Sequence, residues 1–227
     1  LAGELSAQVV TTRGRMLKVE PWHTATLFPG DVVRIGSVVK GVGYVGISGG
    51  FLVPEQLGSR STYMRARIGG IDGSPLALGQ HLPCLPLSGN PWLEGCGTLE
   101  WPAEDCPLRV ILGPQDDHFT PSALATFFGQ PYVVTRDMDR MGIRFEGPTI
   151  AHAKSVDRGG ADIISDGIAP GAIQVPGPGL PIVLLADRQT VGGYPKIATV
   201  ASVDLPRLGR LLPGQTVRFA AITVEEA

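Results

Sequence analysis

The stretch best equipped for chemistry runs from Ile163 to Asp204, where the longest apolar run ends in the polar cluster Asp187, Arg188, Gln189 and Thr190. Gly192, Gly193, Tyr194, Pro195 and Lys196 follow. A carboxylate and an ammonium at one rim can orient and polarise a small polar substrate, and an Asp beside a Lys stays ionised more readily. The flanking pattern predicts how they are carried. Pro181 to Ala186 is short, branched and bounded by breakers, as a buried strand is, and Ile197 to Val203 alternates with period two. If the two strands pair as neighbours around Gly192 and Gly193, Asp187 and Lys196 lie near the same end of one hairpin.

Other reactive-looking patterns lack their context. Gly41, Gly43 and Gly46 satisfy GxGxxG, but ISGGF follows instead of a helix. Gly46, Ser48 and Gly50 satisfy GxSxG without the helix that a nucleophile elbow opens into, and Ser37 with Lys40 forms an SxxK pair with no SDN or KTG element behind it. Gly58-Ser59-Arg60-Ser61-Thr62 could hold an anion through hydroxyls and a guanidinium, or be a turn that hydrogen-bonds itself, and the turn is the commoner case. Cys84, Cys96 and Cys106 match no zinc spacing, and His23, His81, His118 and His152 are scattered, so no metal site is expected.

The elements that must position these residues read as mostly β with few short helices. Gly 31 and Pro 20 are spread without a repeat, as many short strands joined by turns require. Strands are predicted at Leu5 to Thr11, Met16 to Val19, Val32 to Ile35, Val39 to Ile47, 108–112 and Tyr132 to Thr135, with a dense charged turn from Arg136 to Gly142. In Ile143 to Glu146, Ile143 and Phe145 share one face and Arg144 and Glu146 the other. The clearest helix has Thr120 as cap, Pro121 at its first position, Leu124, Phe127 and Phe128 at helical spacing, and Gly129 as its stop.

The spread of signals suggests a first β lobe over 1–82, a Pro-, Cys- and Trp-containing crossover over 83–107, and a second β lobe over 108–227. A net charge of -2 gives no footprint for nucleic acid or an anionic membrane, and no apolar run approaches the roughly 20 residues of a membrane helix. A cytoplasmic protein with small-molecule or protein partners is expected. The chain starts at Leu1 and not Met, and any targeting signal ahead of it would lie outside this sequence.

Six strings together resemble the allophanate hydrolase subunit 2 family, also called KipA-like: GGFLVPEQLGSRST (49–62), GPQDDHFTP (113–121), DRMGIRFEGP (139–148), SDGIAPGAIQVP (165–176), LADRQTVGGYPKIATV (185–200) and DLPRLGRLLPG (204–214). That family includes the C subunit of 5-oxoprolinase and is similar to one half of the urea carboxylase carboxyltransferase domain. The resemblance implies a cyclophilin-like β-barrel architecture in two lobes. It also implies a KipI-like partner, the allophanate hydrolase subunit 1 homologue, and a leading segment with TVQD- and GAMD-type motifs that do not occur here. Gly209-Arg210 replaces the more usual Ala-Gln of the family's DLPRLAQL-like element.

The activity so implied is that of a subunit of an ATP-linked amide-processing enzyme. It would open 5-oxoproline, or transfer carboxyl from biotin to a urea-like amide. No cofactor is expected to be bound tightly by this chain itself, ATP or carboxybiotin arriving through the complex. Both substrates present a carbonyl flanked by N–H, which calls for a donor to polarise the carbonyl and an acceptor to orient the nitrogen. The expected roles are Asp187 as acceptor or base, Lys196 and Arg140 as electrophilic or anion-holding groups, Gln174 and Gln189 as orienting amides, Tyr194 as wall or hydroxyl donor, and Gly192 and Gly193 as substrate-binding residues of the same rim. The alternative is a non-catalytic KipA-like regulator that binds a KipI-like kinase inhibitor.

Overall fold

The structure, a computed structural model, describes residues 1–85, 105–153 and 161–227. The chain divides into two compact units, residues 1–98 and 99–227. The expected crossover, with Trp92, Cys96 and Trp101, lies for the most part outside the described residues.

In the first unit, β1 (Ala7–Val10) pairs antiparallel with β2 (Met16–Val19) on one side and β3 (Val32–Ile35) on the other. Alternation places Ala7, Val9 and Val19 in a small buried cluster flanked by Leu1 and Val33. The strand expected over Val39 to Ile47 does not form, and only Tyr44 makes a bridge, to Ala2. Gly41, at φ 63, with Gly43 and Gly46 breaks the extended run there, leaving Val39, Val42 and Val45 exposed. No helix follows the GxGxxG and GxSxG patterns. The Ser59 hydroxyl accepts the Ser61 N–H, so this loop does hydrogen-bond itself.

The second unit is built on one sheet. Its strands are β4 (Leu108–Leu112), β5 (Tyr132–Met138), β6 (Gly142–Glu146), β8 (Ala172–Gln174), β9 (Ile182–Leu184), β11 (Lys196–Val200), β12 (Thr216–Val217) and β13 (Phe219–Ala221), in the order β12-β5-β6-β9-β8-β11-β4-β13. The remaining strands, β7 (Asp166–Gly167) and β10 (Val191–Gly192), form a separate antiparallel ribbon. The two edge strands, β12 and β13, are one residue apart in sequence, so Arg218 carries the chain from one edge of the sheet to the other. The Tyr132 ring, near one edge, lies 5.9 Å from Phe219 on the opposite edge. The sheet therefore curls into a nearly closed barrel.

The barrel core is read from period-two alternation. Leu108, Val110, Val134, Ile143, Phe145, Ile173, Val183 and Val200 point inward, while Arg144 and Glu146 face solvent as expected. The helix α1 (Pro121–Gly129) packs against β13 and adds Ala123 and Phe127 to the core. Its Phe127 stacks on Phe219 at 4.7 Å, and the Thr120 hydroxyl accepts the Ala123 N–H at 3.1 Å. Thr120→Ala should lower stability by about 1 kcal/mol, read as a shift in the urea midpoint with an unchanged slope. The charged turn starts later than expected, because β5 continues to Met138 and pairs there with Ile143. A short helix α2 (Leu205–Leu208) follows a 3-10 turn over Ser202–Asp204, which ends β11 earlier than the expected Val203. Among the described residues, no helix is long and apolar enough to cross a membrane.

Candidate functional site

The expected hairpin is not formed. β9 pairs with β6 and β8, and β11 pairs with β8 and β4, so β8 lies between the two strands that carry Asp187 and Lys196. The segment from Leu185 to Pro195 is too long for a tight reversal and supplies β10 of the ribbon instead. Asp187 and Lys196 accordingly have different ionic partners. Asp187 is held by Arg140, with Nε to Oδ2 at 2.7 Å and a terminal nitrogen to Oδ1 at 2.8 Å. Lys196 Nζ donates to Asp166 Oδ2 at 3.0 Å.

Tertiary structure gives Lys196 a neighbour that sequence spacing did not. Gln174 is its register partner on β8, which places both side chains on one face of the sheet. That is the face away from the barrel core, since Ile173 and Val183 turn inward and Gln174, Ala172, Ile182 and Leu184 turn outward. Yet Gln174 is only 1% exposed and Lys196 3%. The β7–β10 ribbon covers them, with Ile168 joining Ala172, Leu184 and partly buried Ile182 in a second apolar cluster. A methyl group at Gly192 would stand 3.0 Å from Gln174 Nε2 and 3.6 Å from Gln189 Nε2, so these two amides flank Gly192. Gly193 accepts the Ile163 N–H at 2.8 Å, and Tyr194 is exposed.

Two contributors escaped sequence reasoning. Gln115 bridges the site: its Oε1 accepts the Lys196 N–H at 3.2 Å and its Nε2 donates to Asp166 Oδ2 at 3.2 Å. Asp166 stood only within the string 165–176, 30 residues from the Lys it meets. The turn before Gln115 is pressed onto β11 so closely that a Cβ on Gly113 would lie 2.2 Å from the Lys196 carbonyl oxygen. Gly113→Ala should therefore cost about 3 kcal/mol, the upper end for overpacking, and shift the Lys196 backbone amide resonance more than those of β5. Urea unfolding with backbone NMR checks both.

The electrostatics favour polarisation over proton transfer by the carboxylates. The Lys196 ammonium, the Gly167 N–H and Gln115 hold the Asp166 carboxyl below the ordinary carboxylate range. Arg140 does the same for Asp187, against the opposing effect of burial. Both are ionised at neutral pH and weakly basic, far from the near-neutral pKa of an efficient general base. The donor side is different. Among the described residues, Gln174 Nε2 is buried with no hydrogen-bond partner, and Asp166 alone accepts from the three-donor Lys196 ammonium. The arrangement thus holds a buried donor, Gln174 Nε2, that no acceptor among the described residues satisfies.

A sequence profile described as carboxyltransferase domain, subdomain A and B, matches residues 3–221. The chain is similar to the C subunit of 5-oxoprolinase from Haemophilus influenzae, 33% identical over 199 residues that cover 87% of this chain and 62% of that protein. It is similar also to the Escherichia coli counterpart of that subunit, 34% identical over 186 residues, 81% of this chain and 57% of that protein. Its fold matches the crystal structure of the Kluyveromyces lactis urea carboxylase with a TM-score of 0.78 and 27% identity, over 98% of this chain and 21% of that one. The chain thus spans about three fifths of the length of the curated relatives named here. All six strings that carry the resemblance lie inside the matched span, and the chain belongs to the carboxyltransferase domain, subdomain A and B, family.

Proposed function

We propose that this chain is a component of an ATP-linked enzyme that processes a small amide in the cytoplasm, of the 5-oxoprolinase C-subunit type or, second, the carboxyltransferase component of a biotin-dependent urea-type carboxylase. The observation that carries this reading is the buried Lys196 opposite a buried Gln174 whose amide nitrogen lacks a partner. An amide carbonyl gains negative charge on oxygen when it is activated, and preorganised donors in a water-poor site stabilise that charge. This reading assigns that role to Lys196 Nζ and Gln174 Nε2, with Gly192 close beside Gln174 and Gln189 orienting the N–H side. Arg140 acts as an anion-holding group at the rim, and Asp187 fixes its guanidinium. Tyr194 forms an outer wall.

ATP and carboxybiotin belong to the complex in this reading. The unpartnered Gln174 donor fits the acceptor oxygens of a carboxylated carrier as well as those of an amide, and a bound carrier would supply the carboxyl group. The partner is a KipI-like, allophanate hydrolase subunit 1 homologue. Exposed apolar side chains in the first unit, among them Phe28, Val39, Leu57 and Leu78, support a life beside another protein. Co-purification from the native host, followed by ATP hydrolysis assays with 5-oxoproline and with urea, tests the proposal. Hydrolysis stimulated by 5-oxoproline supports the first reading and stimulation by urea the second. A complex that responds to neither but relieves a kinase inhibitor would establish the regulatory alternative.

A further inference from the structure

The ribbon that seals Lys196 and Gln174 is small and lightly attached. It consists of two residue pairs, Val191 with Gly167 and Gly192 with Asp166, flanked by the Ile168 N–H donating to the Thr190 carbonyl at 3.0 Å and the Ile163 N–H to the Gly193 carbonyl at 2.8 Å. Three kinds of contact hold it to the barrel face. Ile168 packs among Ala172, Leu184 and Ile182, and Arg188 Nε donates to the Ile168 carbonyl at 3.0 Å. The third contact is ionic and runs through Asp166.

That ionic contact is lopsided. The Lys196 side chain is 4% exposed and the Asp166 side chain 52%. The ammonium is buried, while its carboxylate partner reaches in from the solvent side, where water or a competing acid can meet it. Asp166 also leaves the site incompletely satisfied. Its Oδ2 accepts from Lys196 and Gln115, and its Oδ1 accepts the Gly167 N–H at 2.7 Å. Neither oxygen serves Gln174 Nε2, which stays buried without a partner at the full desolvation cost of an orphan donor. A free carboxylate has no such tie to Gly167. Gln174 is the register partner of Lys196 on the same sheet face, so a carboxylate at the ammonium lies beside both donors.

We propose that the Lys196–Asp166 pair is an exchangeable latch: Asp166 occupies the place of a ligand carboxylate, and a small-molecule carboxylate that displaces it from Lys196 also reaches Gln174 and frees the β7–β10 ribbon from the barrel face. This rests on the reading that Lys196 and Gln174 meet the ligand. It adds to that reading a competition for Lys196 and a movement coupled to ligand binding. The displaced Asp166 is already half in solvent, so its release costs little, whereas the gained Gln174 contact is what distinguishes ligand from latch.

The test uses the full chain and three probes: 5-oxoproline, its carboxamide, and 2-pyrrolidone, which lacks the carboxylate. Binding is measured by calorimetry and ribbon opening by amide hydrogen exchange over residues 163–168 and 189–193. Asp166→Asn removes the competing carboxylate at an exposed position, and unchanged exchange in β5 and β6 verifies that the barrel is intact. Asp166→Asn is expected to bind 5-oxoproline about tenfold more tightly than wild type and to exchange about tenfold faster in the ribbon without ligand, a coupling of ordinary size. In the wild type, 5-oxoproline should speed ribbon exchange and the other two probes should not. If Asp166→Asn binds 5-oxoproline no more tightly while Lys196→Met abolishes binding, the latch is overturned and the site assignment stands. Equal ribbon opening by the carboxamide also overturns it. If neither wild type nor Asp166→Asn binds 5-oxoproline, both the latch and the site assignment fall.

Discussion

Replacing Lys196 with methionine is expected to reduce substrate-stimulated ATP hydrolysis by the assembled complex about 10²- to 10³-fold, the scale of losing one preorganised donor from a site where charge develops. Methionine fills most of the volume of the lysine stem, which keeps the outer face of β8 and β11 packed. The charge left behind is Asp166, already 52% exposed in its side chain. It returns to water without becoming a buried orphan, so stability should change by less than about 1 kcal/mol. A large kinetic loss with a small stability change is what distinguishes a working ammonium from a structural ion pair. The loss should appear in KM as well as kcat, because Lys196 meets the substrate in the ground state and also acts on the activated carbonyl. Wild-type turnover in Lys196→Met would remove Lys196 from the chemistry.

Asp204→Ala is expected to act in the opposite way, on the fold and not on the site. Asp204 is fully buried. Its Oδ2 accepts the Arg109 backbone N–H at 2.9 Å and Nε at 3.0 Å, its Oδ1 accepts a terminal Arg109 nitrogen at 2.9 Å, and Arg207 stands 3.4 Å away. This carboxylate ties the start of β4 to the 3-10 turn after β11, across 95 residues of sequence. Arg207 extends the tie by donating to the carbonyls of Cys106 and Pro107. Removing the acid leaves the Arg109 strand N–H without its acceptor, while the Arg109 side chain, 40% exposed, turns to water and Arg207 keeps its two carbonyl acceptors. The cost is about 1–3 kcal/mol, a sizeable share of the roughly 5–15 kcal/mol that holds a typical domain folded. Urea unfolding at neutral pH measures it.

The same residue sets a pH dependence. Burial alone would raise the Asp204 carboxyl, but the hydrogen bonds from Arg109 and the nearby Arg207 charge outweigh it and hold the group below its ordinary value. A lowered folded-state pKa means the stabilisation is complete above the unfolded carboxyl value of about 4 and is lost as pH falls through the folded value. Asp166 and Asp187, also lowered, add in the same direction, more weakly because they are more exposed. Wild-type stability should therefore fall steeply below about pH 4, and Asp204→Ala should flatten that fall. An equally steep fall in the variant would show that other carboxylates carry it.

Much of the second unit was legible because its cues are local. Ile143 and Phe145 alternate with Arg144 and Glu146, and that period alone assigns their faces. Thr120 and Pro121 announce the start of α1 because the cap and the missing N–H are properties of neighbouring residues. The family strings located Gln174, Asp187, Gly192 and Lys196 in one region, but not which of them touch. Val39 to Ile47 misled because its apolar residues outweighed, in a local reading, the glycines that break it.

What the sequence by itself determined is the β class, the inward and outward alternation, the helix that Thr120 caps, and membership of a family whose motifs surround the site. Only the tertiary structure decided that β8 separates β9 from β11, that Lys196 therefore faces Gln174 and pairs with Asp166, and that Arg109 meets Asp204. The physical reason is that a residue's face follows from its neighbours in the chain, whereas its partner follows from strand order and register. Those are settled by how the whole barrel buries its core and by where Arg218 joins its two edges.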